Sequence, residues 1–344
     1  MRPIGWYVHH QGAGHLHRAL SVARHLRRPV TLLGTGLAGL AIPALDLPDD
    51  RLASEFAGRD GEASRPQAFH YAPLGHAGVR HRMAALARWI GEHDPVLVVV
   101  DVSVEVALLA RLLSVPTLVV RLAGDRRDPP HLEAFRAATR VIAPFPEEID
   151  LADVPGWVRA KTIHAGLLAA RASAPGAGDG RIVVLLGRGG EGPSPDDLAE
   201  AAAAVPDRAW HVYGTATASR APAPANLHLH GWVDDVAGPL SMASVVVGSG
   251  GDGVLAAVAA AGKRFICLPQ PRPFREQAAK AEGLARLGAA IVRDRWPAAG
   301  EWPALLEAAA RLDPARLAAL VPEDAVPAFA RIIDAEADRL DGAR

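Results

Sequence analysis

The sequence predicts an α/β protein made of two Rossmann-like, doubly wound domains facing each other across a cleft. Three observations predict this. Short apolar runs alternate with helical patterns, as in a parallel sheet flanked by helices. The small, Pro/Gly-punctuated stretch 171–180 breaks the alternation near the middle of the chain, after which it restarts. The length of 344 residues suits two domains of about 150 to 180 residues better than one core.

In the first half, strands are expected at 4–8, 30–33, 96–100, 117–120 and 141–143. Between the first two, Leu16, Leu20, Ala23 and Leu26 share one helical face. Arg24, Arg27 and Arg28 are expected in that helix's last turn, where cations favour the dipole, and Pro29 stops it. A second helix is expected over 104–113, closed by Val115-Pro116. In the second half, strands are expected at 182–186, 209–213, 245–247, 265–268 and 289–292, with a proline-rich surface turn at 221–226. Phe329, Ile332, Ile333 and Ala337 make 325–340 amphipathic. The expected division is an N-terminal domain over 1–168, a linker over 169–180, a C-terminal domain over 181–322 and a helix over 323–344, free to pack back on the N-terminal domain.

Composition removes several classes of function. Half the residues are hydrophobic and 22% are charged, so the chain is globular rather than disordered. The net charge of −1 offers no bulk field for nucleic acid. The 34 arginines against three lysines, with abundant Ala, Gly and Pro, read as a genomic base bias. Cys267 is the single cysteine, which excludes an intrachain disulfide and a cysteine-built zinc site. No signal-peptide order and no membrane-spanning apolar run is present, so a cytoplasmic protein is expected. Met83, Leu86, Trp89 and Ile90 beside Arg80, Arg82 and Arg88 make 79–90 mildly basic and amphipathic. An ordinary surface helix is preferred there over a membrane-surface one.

The first strand runs into His9-His10-Gln11-Gly12-Ala13-Gly14-His15-Leu16-His17-Arg18. Gly12 and Gly14 let backbone approach a ligand at a helix N-terminus, where free N–H groups favour anions. A dinucleotide loop fits poorly, because His17 takes the third glycine position and no ribose-binding acid follows the second strand. His15 either accepts a proton in the cleft or packs the loop. Asp101 ends a Val/Leu strand and either orients His15 or caps the helix beginning near Ser103, with Glu105 a competing acid. Four histidines within nine residues lack a carboxylate or cysteine at ligand spacing, so no metal is expected.

Two glycine loops follow strands in the second half. Gly187-Arg188-Gly189-Gly190-Glu191-Gly192 is a candidate phosphate-approach loop. Ser249-Gly250-Gly251-Asp252-Gly253 opens an Ala-rich helix, an arrangement that favours diphosphate binding by backbone amides. Gln270, Arg272, Glu276 and Gln277, in a segment stiffened by three prolines, suit sugar hydroxyls or phosphate, unless they merely decorate an exposed loop.

Together these residues resemble the GT-B glycosyltransferases, especially the MurG-like and UDP-glycosyltransferase group, over essentially the whole chain. The resemblance implies that His15 is the base that activates an acceptor, helped by Asp101. It implies that Trp232 and Val233, within Gly231-Trp232-Val233-Asp234-Asp235-Val236, lie beside the nucleotide base. Ser249-Gly250-Gly251 would hold the diphosphate, while Glu276 and Gln277 would grip the donor sugar. Ala257 stands where the group carries a glutamate that bonds both ribose hydroxyls. That loss should weaken ribose binding by roughly 1–3 kcal/mol and penalise a deoxyribose donor less.

The expected function is therefore transfer of a sugar from a nucleotide-diphosphate donor to an acceptor, inverting and metal-independent. A UDP-sugar is favoured over a dTDP-sugar. The donor is a co-substrate, no resident cofactor is expected, and the acceptor is not identified. A monomer or homodimer without nucleic acid is expected. Two alternatives stay open: an epimerase or phosphorylase on the same fold, and a non-catalytic nucleotide-sugar-binding protein.

Overall fold

Strand-forming Val, Ile and Leu runs bounded by Pro, Gly and polar residues become two parallel sheets in the computed structural model, which describes residues 1–10, 13–51, 65–171, 178–187, 192–215 and 223–343. The first half comprises β1 (Ile4–Val8), α1 (Ala13–Ala23), β2 (Val30–Gly34), β3 (Ala44–Asp46), α2 (Ala77–His93), β4 (Leu97–Asp101), α3 (Val104–Leu112), β5 (Thr117–Val120), α4 (Pro129–Ala137), β6 (Arg140–Ala143), a 3₁₀ turn (Glu147–Ile149), α5 (Gly156–Lys161) and β7 (Thr162–His164). The second comprises β8 (Arg181–Leu185), α6 (Pro195–Ala203), β9 (Trp210–Tyr213), β10 (Leu227–Gly231), α7 (Ala237–Met242), β11 (Ala243–Gly248), α8 (Asp252–Ala260), β12 (Arg264–Cys267), α9 (Glu276–Arg286), β13 (Ile291–Val292), α10 (Trp302–Ala310), α11 (Pro314–Ala318) and α12 (Ala325–Asp341).

The sheet orders are β3-β2-β1-β4-β5-β6-β7 and β10-β9-β8-β11-β12-β13. In each, the chain reverses its direction of travel beside the first strand, opening a crevice at the strands' carboxyl ends: between β1 and β4 in one sheet, between β8 and β11 in the other. Val8 is in register with Asp101, so both strand ends reach the first crevice together. Gly248 pairs with Leu185 at the second.

Apolar side chains join the two halves. Phe145, Ile149 and Leu167 share one buried cluster with Leu255, Phe265, Leu284 and Val321. Gly283 lets α9 pack closely on the 3₁₀ turn, since a Cβ there would meet Ile149 Cα at 2.6 Å. The last helix, α12, lays Phe329, Ile333 and Ala337 on the first sheet, with Phe329 stacked 6.5 Å from Trp6.

One sequence expectation is corrected, and two open alternatives are decided. Helix α1 ends at Ala23, where the chain turns through His25 N–H to Val22 O (2.9 Å), so Arg24, Arg27 and Arg28 are not in its last turn. Arg27 and Arg28 instead pair with α12 through Asp338 at 2.6 and 2.7 Å. Helix α2 is an ordinary surface helix: Arg80 and Arg88 are exposed, while Arg82 is fully buried, donating to Tyr7 Oη at 2.9 Å and Thr35 Oγ1 at 2.5 Å. Trp89 lies so tightly over Gly5 that a Cβ there would meet its ring at 2.8 Å, which removes it from any membrane-facing surface. Asp101 does not cap α3. Ser103 does, accepting from Val106 N at 3.2 Å, while Val102 at φ 59° turns the chain between them. Among the described residues no helix is long and apolar enough to cross a membrane.

Candidate active site

The first crevice holds an Asp–His–Arg group. His15, on the first turns of α1, places Nδ1 2.9 Å from Asp101 Oδ1. Arg18 follows one helical turn later and grips the same carboxylate, Nε to Oδ2 at 3.1 Å and Nη2 to Oδ1 at 3.2 Å. Arg18 Nη2 also lies 3.2 Å from His15 Nδ1, so imidazole and guanidinium compete for one buried acid. Burial alone would raise the Asp101 carboxyl, but Arg18 and His15 outweigh it and hold it down to about 2. His9, tilted 5.8 Å from His15, is pushed down to about 3 by burial and then by its histidine neighbours, so it is neutral at pH 7.

Across the cleft, β11 runs through Ser249, Gly250 and Gly251 into α8. Gly251 is the N-cap, with no side chain covering the helix's first amides. Gln277 ties this loop to the one after β12: its Oε1 accepts from Gly250 N at 3.1 Å and from Gln270 N at 2.9 Å. Its amide oxygen is thus committed to the backbone, while Nε2 lies beside Gly251. Arg272 donates to Gln270 Oε1 at 3.2 Å within the same segment. A cavity of about 200 Å³ opens at the ends of β8, β11 and β12, bringing Gly187, Ser249 and Gln270 together with Asp294, Arg295 and Trp296. Added Cβ atoms at Gly14, Gly187 and Gly253 would meet nothing within 4 Å, so all three border open space.

Asp252, first in α8, pairs with Lys280 and sits 3.6 Å from Arg18 Nη1. Burial would raise its carboxyl, but Lys280 and then Arg18 pull it down. Lys280 is fully buried, and its remaining contact is Glu276 Oε1 at 3.4 Å. Glu276 Oε2 reaches back across the cleft to Arg126 at 3.3 Å. Beside His15, the charges therefore alternate in an unbroken line from Asp101 through Arg18, Asp252, Lys280 and Glu276 to Arg126. Trp232 and Val233 follow β10, with β9 and β8 between them and β11. Trp232 is 46% exposed and donates Nε1–H to Asp234 at 3.1 Å. Ala257 packs against an apolar cluster, so α8 presents no carboxylate there. Gly12, Arg188, Gly189 and Gly190 lie outside the described residues.

Sequence reasoning missed Arg18, Lys280 and Arg126. Two signals were available: Arg18 is three residues past His15 in a helix, and Lys280 is one of three lysines, four past Glu276. It also missed His70, Asp128 and His131, whose potential metal-ligand atoms lie within 4.8 Å of one another. Asp128 accepts from His70 Nε2 at 2.5 Å and His131 Nδ1 at 2.6 Å. Arg126, 3.3 Å from His131 Nε2, sets a positive charge against this group. Phe274, from the other half of the chain, meets the His131 ring edge-on at 4.7 Å.

Two parallel six- and seven-stranded sheets with facing crevices are matched in solved structures. A glycosyltransferase of kitacinnamycin superposes with a TM-score of 0.70 at 20% identity, over 98% of this chain and 99% of that one. The fold is that of the GT-B glycosyltransferases. MurG of Acinetobacter baumannii matches at TM-score 0.66 and 18% identity, over 96% of this chain and 99% of that one. Spinosyn rhamnosyltransferase SpnG, complexed with thymidine diphosphate, matches at 0.67 and 18%, over 97% and 100%. By sequence, no family model and no curated protein matches the chain.

Proposed function

We propose that the protein is a glycosyltransferase moving a sugar from a nucleoside-diphosphate donor to an acceptor nucleophile with inversion at the anomeric carbon. The observation that carries this reading is the His15–Asp101 pair, 2.9 Å apart, linked through Arg18 to the uncapped N-terminus of α8 on the other side of the cleft. Asp101, buried and ionised, orients His15 Nδ1–H and balances the charge that forms when Nε2 takes the acceptor's proton. As the acceptor attacks, the bond from the anomeric carbon to the diphosphate breaks. The departing oxygens gain negative charge, which in this reading the amides of Gly251, Asp252 and Gly253, with Arg188 or Arg272, stabilise. In other transferases a divalent cation fills that role.

In this reading Glu276 and the Gln277 amide would take the donor sugar, and Trp232 and Val233 the base. A dTDP-sugar or UDP-sugar fits this reading. The apolar setting of Ala257 removes a ribose acceptor and narrows the preference for UDP. The same residue motivates a second reading, a protein that binds a nucleotide-sugar without transferring it.

A thermal-shift panel of UDP-, dTDP- and GDP-sugars and the free nucleotides, with and without EDTA, tests the donor. A ligand that binds only the folded state at about 100 times its Kd adds roughly 2.7 kcal/mol. A selective, EDTA-insensitive shift is expected, and the absence of any shift would remove the transferase reading.

A further inference from the structure

We propose that Arg18 is a positioning residue that ties the base to the donor: it holds Asp101 in place for His15 and passes its outer guanidinium nitrogen from Asp252 to the donor diphosphate. This rests on the transferase reading above.

The geometry is that of a fork with two jobs. Arg18 is on the N-terminal half of the cleft and its side chain is 9% exposed. Nε and Nη2 are spent on Asp101 at hydrogen-bond distance. Nη1 faces the other way, 3.6 Å from Asp252 Oδ2, as an ion pair with no hydrogen bond between them. It is the loosest link in the line of charges described above, and it crosses the cleft. Burial would lower the Arg18 guanidinium, but Asp101 and then Asp252 raise it, so it stays charged.

Asp252 makes this link responsive. An acid on the first turn of α8 stands where the amides invite an anion, and its repulsion of phosphate must be cancelled by neighbouring cations. Two cations do so. Lys280 is fully buried on the same half of the chain and is fixed between Asp252 and Glu276. Arg18 comes from the opposite half. A diphosphate arriving at Gly251–Gly253 is a stronger and more charged acceptor than the carboxylate, and guanidinium pairs with phosphate through two parallel N–H donors. With Nε and Nη2 held on Asp101, the planar guanidinium keeps Nη1 facing the start of α8, where a diphosphate can accept from it without releasing Asp101 while Lys280 keeps Asp252 neutralised. A lysine at position 18 has one ammonium and cannot serve both sides. Donor arrival thus bears on the same side chain that orients the His15–Asp101 pair.

The test is calorimetric binding of UDP and of dTDP to the full-length wild type, Arg18→Gln, Arg18→Lys, Asp252→Asn and the double variant Arg18→Gln/Asp252→Asn. Arg18→Gln should weaken binding about tenfold and Arg18→Lys should restore part of it. Asp252→Asn should tighten binding about three- to tenfold in the wild-type background, because Arg18 is released to the phosphate. In the Arg18→Gln background the same change should give at most a small gain. A merely structural role for Arg18 would not make the benefit of Asp252→Asn depend on the arginine. Independent, multiplicative effects of the two substitutions, or unchanged affinity in Arg18→Gln, would overturn the proposal while leaving the donor reading intact. Failure of the wild type to bind either nucleotide would overturn the donor reading, and the proposal with it.

Discussion

His15 and Gln277 do different work although both face the cleft. His15 is held by one buried carboxylate at 2.9 Å, which leaves its other ring nitrogen for an acceptor proton. Replacing His15 by Ala should lower turnover about 10²–10⁴-fold with donor affinity nearly unchanged, read from single-substrate kinetics and calorimetry. An unaltered rate would remove His15 as the base. Gln277 is buried, and its Oε1 serves the amides of Gly250 and Gln270 at 3.1 and 2.9 Å. Gln277→Ala should leave two N–H groups without their acceptor, costing about 1–3 kcal/mol in urea unfolding and loosening the loop after β11. A donor Kd unchanged in that variant would separate the loop from donor binding.

At the scale of elements, the loop between β12 and α9 decides how the halves meet. Phe274 and Arg275 sit at φ 58° and 54°, a left-handed pair that side chains adopt only when their surroundings impose it. Phe274 O accepts from Asp125 N at 2.7 Å, and Gly124, itself at φ 102°, leaves no room for a Cβ, which would meet that oxygen at 2.3 Å. Gly124→Ala should therefore break the contact, lower Tm and weaken donor binding, since the same loop carries Gln270 and Glu276. Equal Tm and Kd in wild type and variant would contradict this account of the loop.

The elements also show what could be read from residues alone. The long apolar strands were legible because β4 and β11 are buried on both faces and read as continuous Val runs. Three strands were not foreseen. β3 and β7 have three residues each, too few for a period-two pattern, and β10 is a largely exposed edge strand of alternating Leu and His. His15 and Asp101 were legible because each follows a strand at a crevice. Arg18, Lys280 and Arg126 were not, because a cation's role depends on which acids the fold brings to it from 28 to 150 residues away. The arginine-rich composition hid them further: with 34 arginines, one at helical spacing from a histidine carries little weight.

For the whole molecule, the buried polar groups make stability depend on pH in one direction. Burial, followed by its histidine neighbours, pushes His9 down to about 3, and burial pushes His131 down to about 4, from 6.5. The unfolded chain therefore binds more protons than the folded one as pH falls below 6.5. Stability from these imidazoles is fully present above pH 6.5 and is lost on acidification, on the order of 3 kcal/mol or more by pH 4. Asp101, held at about 2 against an ordinary 3.8, adds a further loss below pH 3.8 in the same direction. Urea midpoints should hold nearly level from pH 7.5 to pH 6.5 and fall from there to pH 4.5. A flat or rising series would contradict this reading of the buried histidines.

The two crevices together are proposed to transfer a sugar. The most direct measurement incubates the protein with UDP-glucose or dTDP-glucose and a panel of alcohol, phenol and amine acceptors, then identifies products by mass spectrometry and their anomeric configuration by proton NMR. Free nucleoside diphosphate is expected in equal amount to a new β-glycoside from the α-linked donor, both lost in His15→Ala. A retained α-linkage would contradict inversion, and donor binding without any glycoside across the panel, or conversion of the donor alone to an isomer, would contradict transfer.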